Sequence, residues 1–243
     1  MATLRERFLP DHAHIPEHVV DLEDSDHYSD NSRIKGLGDG VFSIAMTLLA
    51  FTLIAELPAA PRSFADFSSN YGTLFLVYAM SFIVLGTYWI GNAILFHYIV
   101  RSDRPLMVRT VIFLLFVSLV PFSAHYLGQY KFDTVALVLY CANLICCGLG
   151  AFAIILHAAR DPLMLHRVMD KRIYRGLCAS FLVGPIIYTI ALLLAFVSPM
   201  AAFALCVVVP LVTFFPNPFW GRLYALAVQR HAAKKNAAAR RDP

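Results

Sequence analysis

Residues 33–56 read RIKGLGDGVFSIAMTLLAFTLIAE. Two basic residues and one carboxylate, Asp39, precede an uncharged run from Gly40 to Ala55. Crossing a bilayer core takes about 20 mainly apolar residues as a helix. Hydrocarbon offers the backbone no hydrogen bonds, so a spanning segment is a helix or part of a closed barrel. The run lacks the strict alternation of a barrel strand. It is predicted to be a transmembrane helix over about 38–57.

Five further stretches have the same character: 72–99, 108–127, 134–157, 176–197 and 200–220. Hydrophobic residues make up 59% of the 243, and the mean hydropathy is +0.64. Charged residues are 15%, below the roughly 25% of soluble domains. These values exclude a soluble globular chain and predict an all-α integral membrane protein of six transmembrane helices.

Placing the N-terminus inside puts 18 Lys and Arg on the inner side, leaving Arg62 and Lys131 outside. That asymmetry is the positive-inside pattern, so both termini are predicted to be cytoplasmic. Residues 1–32 carry eight Asp/Glu against Arg5 and Arg7 and have no apolar signal-peptide core. They read as an acidic, flexible cytosolic tail. Residues 33–221 form the membrane domain, and 222–243 a basic cytosolic tail. That basic tail either leans on an anionic inner leaflet or only fixes topology. The inner loop 158–175 reads as an amphipathic interfacial turn. No loop is long enough for a soluble catalytic or nucleic-acid-binding domain.

Catalytic and metal motifs are missing from the sequence. GLGDG at 36–40 has glycine-loop composition, but no strand precedes it and no Lys-Ser/Thr follows, so it is not a phosphate loop. There is no H-E-x-x-H motif. Cys141, Cys146, Cys147, Cys178 and Cys206 all fall in predicted spans and lack zinc-site spacing. They read as buried small apolar residues rather than disulfides or metal ligands. No cofactor is implied.

Function therefore rests on the first helix. Asp39 lies where the membrane begins; a carboxylate there is either functional or complements the helix dipole. Ile44, Thr47, Leu48 and Phe51 fall at i, i+3, i+4 and i+7 on one stripe. Periodicity alone fits lipid-facing or core-packing residues.

The stretch Asp39 to Leu49, DGVFSIAMTLL, resembles the first-helix signature of the bacterial branch of the transmembrane protein 175 family of potassium channels. That signature reads R-x-x-x-F-S-D followed by G-V-F-A-I-A-x-T-L-L. Arg33 and Asp39 match its Arg and Asp, while Leu37 and Gly38 stand where it has Phe and Ser. Tyr88, Trp89 and Phe96 resemble the end of its second helix, with Asn92 where His is frequent. Leu119, Val120, Pro121 and Phe122 resemble its third. The resemblance covers roughly residues 33–145. It implies a single six-helix repeat per chain, assembled as a homotetramer around a central pore lined by helix 1, in the bacterial inner membrane. Ile44, Leu48 and Phe51 then form the pore constriction, and Thr47 a polar layer. The transported ion is potassium; the partners are other copies of the chain, membrane lipid and potassium ions, with no nucleic acid.

An apolar ring gives a cation no ligands, so passage requires widening or partial dehydration. Potassium gives up water more readily than sodium, which favours it at such a neck. Thr47 either adds a hydroxyl layer or bonds back to the Ser43 carbonyl. Helix 2 ends near the depth of Asp39, so the Trp89 indole or Asn92 amide is expected to hydrogen-bond that carboxylate. Arg33, Asp39, Trp89 and Asn92 form the expected anchoring cluster of the pore helix. His97, at the same boundary, is either an interfacial residue or a pH-sensitive element. The alternatives are a secondary transporter, proton-coupled through Asp39 and His97 or otherwise, and a non-conducting membrane scaffold.

Overall fold

The computed structural model describes residues 29–55, 63–99, 101–130, 132–160 and 171–214. The tails over 1–28 and 215–243, and most of the inner loop 158–175, lie outside the described residues. The elements run β1 (Ser29–Asp30), α1 (Ser32–Ala55), α2 (Phe64–Tyr98), β2 (Arg101–Ser102), α3 (Arg104–Gln129), α4 (Thr134–Ala158), α5 (Lys171–Ala195) and α6 (Pro199–Phe214). Among the described residues, five helices are long and apolar enough to cross a membrane. α6 is apolar but shorter as described, since its predicted extension to residue 220 lies beyond Phe214.

Helix starts follow local chemistry. Asp103 caps α3, its side chain accepting from Leu106 N at 2.8 Å, with Pro105 in the first turn. Asp133 caps α4 in the same way, accepting from Ala136 N at 3.0 Å. Between these helices Phe132 takes the left-handed conformation, φ 60°. Its ring meets Phe203 of α6 edge-on at 5.3 Å, a contact that offsets some of the strain of that backbone.

α1 packs on α2 and α3; α4 lies between α3 and α5; α6 closes the bundle against α2, α4 and α5. Phe113 of α3 is the wedge on the α1 side. Its ring lies 6.0 Å from Phe42 of α1 and 6.4 Å from Tyr88 of α2. Gly150 of α4 faces the Phe113 backbone, where an added Cβ would come within 3.2 Å of Phe113 Cα.

Several polar groups inside the bundle are paired across helices, as a hydrocarbon surrounding favours. The Tyr88 hydroxyl donates to Leu144 O at 3.0 Å, and the Ser81 and Tyr140 hydroxyls share a bond at 3.1 Å. Pro121 interrupts α3 and leaves the Val117 carbonyl without its helical donor. One turn away, the Asn143 amide of α4, oriented by the groups around it, donates to Phe116 O and accepts from Val120 N and the Ser123 hydroxyl, each at 3.2 Å.

Pro185 sits in α5 directly against Gly148 of α4. A Cβ at Gly148 would lie 2.3 and 2.6 Å from atoms of the proline ring and 3.2 Å from Phe181 O. A proline ring cannot swing aside, so this crossing requires glycine. At Gly128 the nearest obstacle is Leu74 Cδ1 at 2.5 Å, the far end of a flexible side chain. Gly148→Ala is therefore expected to destabilise the detergent-solubilised protein by about 1–3 kcal/mol, the usual range for overpacking. Gly128→Ala is expected to cost less. Thermal unfolding of both variants beside the parent checks the order, and equal midpoints would mean that the proline ring does not dictate glycine at 148.

Candidate functional site

The first helix is pinned on one side and bare on the other. Ile34, Gly38, Phe42, Ala45 and Leu49 form its buried stripe. The opposite stripe exposes Leu37, Ile44, Thr47, Leu48, Phe51 and Ile54. Ile44 is 60% exposed and Phe51 64%. Only 22% of the α1 apolar window is buried, against 44% for α3 and α4. α1 thus leaves more of its surface to other molecules than any other long helix. In a single protomer, an axis-facing stripe and a lipid-facing stripe are equally uncovered.

The N-terminal end of α1, cytosolic by the predicted orientation, is tied twice to the connection between α2 and α3. Ser29 and Asp30 pair antiparallel with Ser102 and Arg101. The Asn31 amide, buried, donates to Ile99 O. The Asn31 carbonyl accepts from Lys35 N at 3.0 Å and so opens the helix. Residues 29–31 thus pair with the connection between α2 and α3. An Asn-Ser pair where the helix begins is the cap-type signal that marks this start.

Further along, the Trp89 indole N–H donates to Asp39 Oδ1 at 2.9 Å, linking α2 to α1. Of the two donors expected for Asp39, the bond comes from Trp89. Asn92 is buried against the α1 backbone instead, and an added Cβ at Gly38 would sit 3.3 Å from its Nδ2. Arg33 is exposed and makes no ion pair with Asp39 among the described residues. His97 is exposed, with the Tyr98 ring edge-on at 5.4 Å.

Thr47 Oγ donates within its own helix, to Ser43 O at 3.1 Å and Ile44 O at 2.9 Å. With its proton turned inward, the hydroxyl leaves lone pairs on the exposed face. A tie not read from the sequence joins α3 to α4, where His157 Nε2 lies 2.9 Å from Asp103 Oδ2. Asp103 is visible in the sequence as an acidic residue just before Arg-Pro. Its partner stands 54 residues away and carries no local signal.

Together these features define a multi-pass α-helical membrane protein whose first helix is anchored at one end and offers an open apolar stripe with one hydroxyl. Residues 33–121 match the family described as the endosomal/lysosomal potassium channel TMEM175. The chain is 28% identical over 174 residues to a potassium channel of Streptomyces collinus, covering 70% of this chain and 84% of that one. It is 25% identical over 189 residues to a potassium channel of Chamaesiphon minutus, covering 74% and 91%. The fold matches the crystal structure of a lysosomal potassium-selective channel TMEM175 homolog from Chamaesiphon minutus with a TM-score of 0.63 and 23% identity, over 75% of this chain and 95% of that one. The resemblance carried by the first helix is therefore to this family, and its bacterial relatives extend it along most of the chain.

If the indole–carboxylate bond anchors α1, Trp89→Phe and Asp39→Ala should not act independently. A double-mutant cycle on unfolding in detergent is expected to give a coupling of about 1 kcal/mol, the net worth of one such bond. Additive effects would mean that the contact contributes nothing.

Proposed function

We propose that this protein is a subunit of a potassium-preferring cation channel of the bacterial cell membrane. It is a homotetramer with both termini cytoplasmic, six spans per chain and α1 of each copy lining a central pore. The observation that carries this reading is the uncovered stripe of α1, on the segment that matches the TMEM175 family, in a chain whose relatives are named potassium channels.

Around a four-fold axis, the stripe yields a ring of Ile44 side chains, followed outward by Thr47, Leu48 and Phe51. The Ile44 ring offers no ligands, so an ion passes when the ring widens and wets or when the ion sheds part of its water. Potassium, the less tightly hydrated ion, meets the lower cost. Thr47 supports the preference. Its proton is held by the Ser43 and Ile44 carbonyls, so a ring of hydroxyl oxygens turns its negative ends toward a passing cation. Selectivity from such a neck is weaker than that of a carbonyl filter, and the sequence has no TVGYG loop. The Asp39–Trp89 bond and the spacing that Asn92 sets against Gly38 hold the pore helix at its cytoplasmic end, where exposed Arg33 adds positive charge.

Potassium flux into proteoliposomes tests this with two variants. Ile44→Asn places an amide in the ring and is expected to raise flux about tenfold, as lowering a passage barrier by about 1.4 kcal/mol would, and to blunt discrimination against sodium. Ile112→Asn, on the exposed face of α3, is expected to leave flux unchanged. Saturating flux coupled to protons would make the protein a carrier. No flux in any variant would make it a scaffold.

A further inference from the structure

Cys141 and Cys206 lie 65 residues apart in sequence, yet their sulfurs are 3.5 Å apart. The topology explains the meeting. Thr134, at the start of α4, donates to Ala195 O at the end of α5 at 3.4 Å, and α6 begins shortly afterwards at Pro199. α4 and α6 therefore start at the same end of the bundle, where Phe132 and Phe203 also meet. Each cysteine is the eighth residue of its helix. At about 1.5 Å of rise per residue, both lie roughly 10 Å in from that end. Both are fully buried, and all five cysteines are free thiols. Cys146, Cys147 and Cys178 have no cysteine partner at this range among the described residues. A disulfide is about 2.05 Å long, so closure asks for roughly 1.5 Å of sulfur movement, within reach of small side-chain rotations.

We propose that Cys141 and Cys206 are a redox-active pair that hydrogen peroxide converts into a reversible disulfide, stapling α6 to α4. Peroxide is small and uncharged and crosses bilayers, so it reaches a site inside the membrane during local openings. One sulfur attacks the O–O bond. An S–O bond forms, hydroxide leaves, and it takes up the thiol proton as water. The second sulfur then attacks the sulfenic sulfur. The S–S bond forms, the S–O bond breaks, and the departing hydroxide takes the second thiol proton. Two thiols and one peroxide give one disulfide and two waters, with two electrons passing from sulfur to oxygen. A dithiol reductant reverses the change by exchange. The staple joins α6 to α4, which lies between α3 and α5.

The full chain in lipid vesicles is treated with hydrogen peroxide, denatured and labelled with a maleimide. Three labels are expected where the untreated chain takes five, and a peptide map should join Cys141 to Cys206. Dithiothreitol should restore five, and C206S should lose the cross-link. Five labels after peroxide, cross-links to Cys146, Cys147 or Cys178 instead, or label loss through sulfinic acid without a cross-link would each overturn the proposal. The map is made on the parent chain, so the result does not depend on how C206S folds.

Discussion

Hydrocarbon does not hydrogen-bond, and the arrangement of this molecule follows from that constraint. It forces the backbone into helices and makes each polar side chain find a partner nearby. Thr47, Thr110 and Thr189 turn their hydroxyls back onto their own helices. Tyr88 reaches the Leu144 carbonyl, and Asn143 bonds the α3 backbone at Phe116 and Val120, next to Pro121. Those bonds add little net energy beyond what the polar groups would cost if left alone. Their effect is to fix which helices lie side by side.

The same constraint makes the first helix asymmetric in its attachments. Its buried stripe meets Phe113 through Phe42, and its N-terminal end is held by Asn31, the short β pairing and the Trp89–Asp39 bond. Beyond Phe42 the ties among the described residues are apolar, through Ala45 and Leu49. Apolar contacts are not directional, so that part of α1 is positioned by packing alone. A helix fixed at one end by directional bonds and elsewhere by packing keeps its depth and its register. The stripe bearing Ile44, Thr47, Leu48 and Phe51 is thereby held at a set height, which the proposed pore requires.

Much of this is legible in the sequence because it is local. Apolar runs mark helices, and the helices from α1 to α5 fall where the runs do. Four of them begin earlier than hydropathy suggests: α2 begins at Phe64 rather than about residue 72, since polar residues such as Ser68 still propagate a helix outside the apolar layer. Counting depth brings Trp89 and Asp39 to one level, because α1 and α2 run antiparallel and depth can be counted along each. What cannot be read depends on rotation about a helix axis or on pairing between distant segments. The Ser29–Asp30 pairing, the His157–Asp103 tie and the Cys141–Cys206 contact are of that kind. The sequence places Cys141 among apolar neighbours, and nothing local to it says that a helix starting 65 positions downstream of its own helix start will carry a second sulfur at the same depth.

Two departures from the first-helix and second-helix patterns gain a joint explanation once the chain is folded. Gly38 stands where the related signature has Ser, and Asn92 where His is frequent. The structure puts these two positions against each other, with Asn92 Nδ2 where a Cβ on residue 38 would press at 3.3 Å. A serine there would require the amide to yield by a few tenths of an ångström. A histidine at 92 would need a different fit against whatever side chain residue 38 carried. The two changes are thus neighbours on one contact, which trades a side chain on α1 for a buried amide on α2. Asp39, the next residue along, keeps its own donor on the adjacent turn of α2. In this chain the α1–α2 contact is a close approach of two helices at one depth, made by Gly38 and Asn92, beside the bonded carboxylate of Asp39.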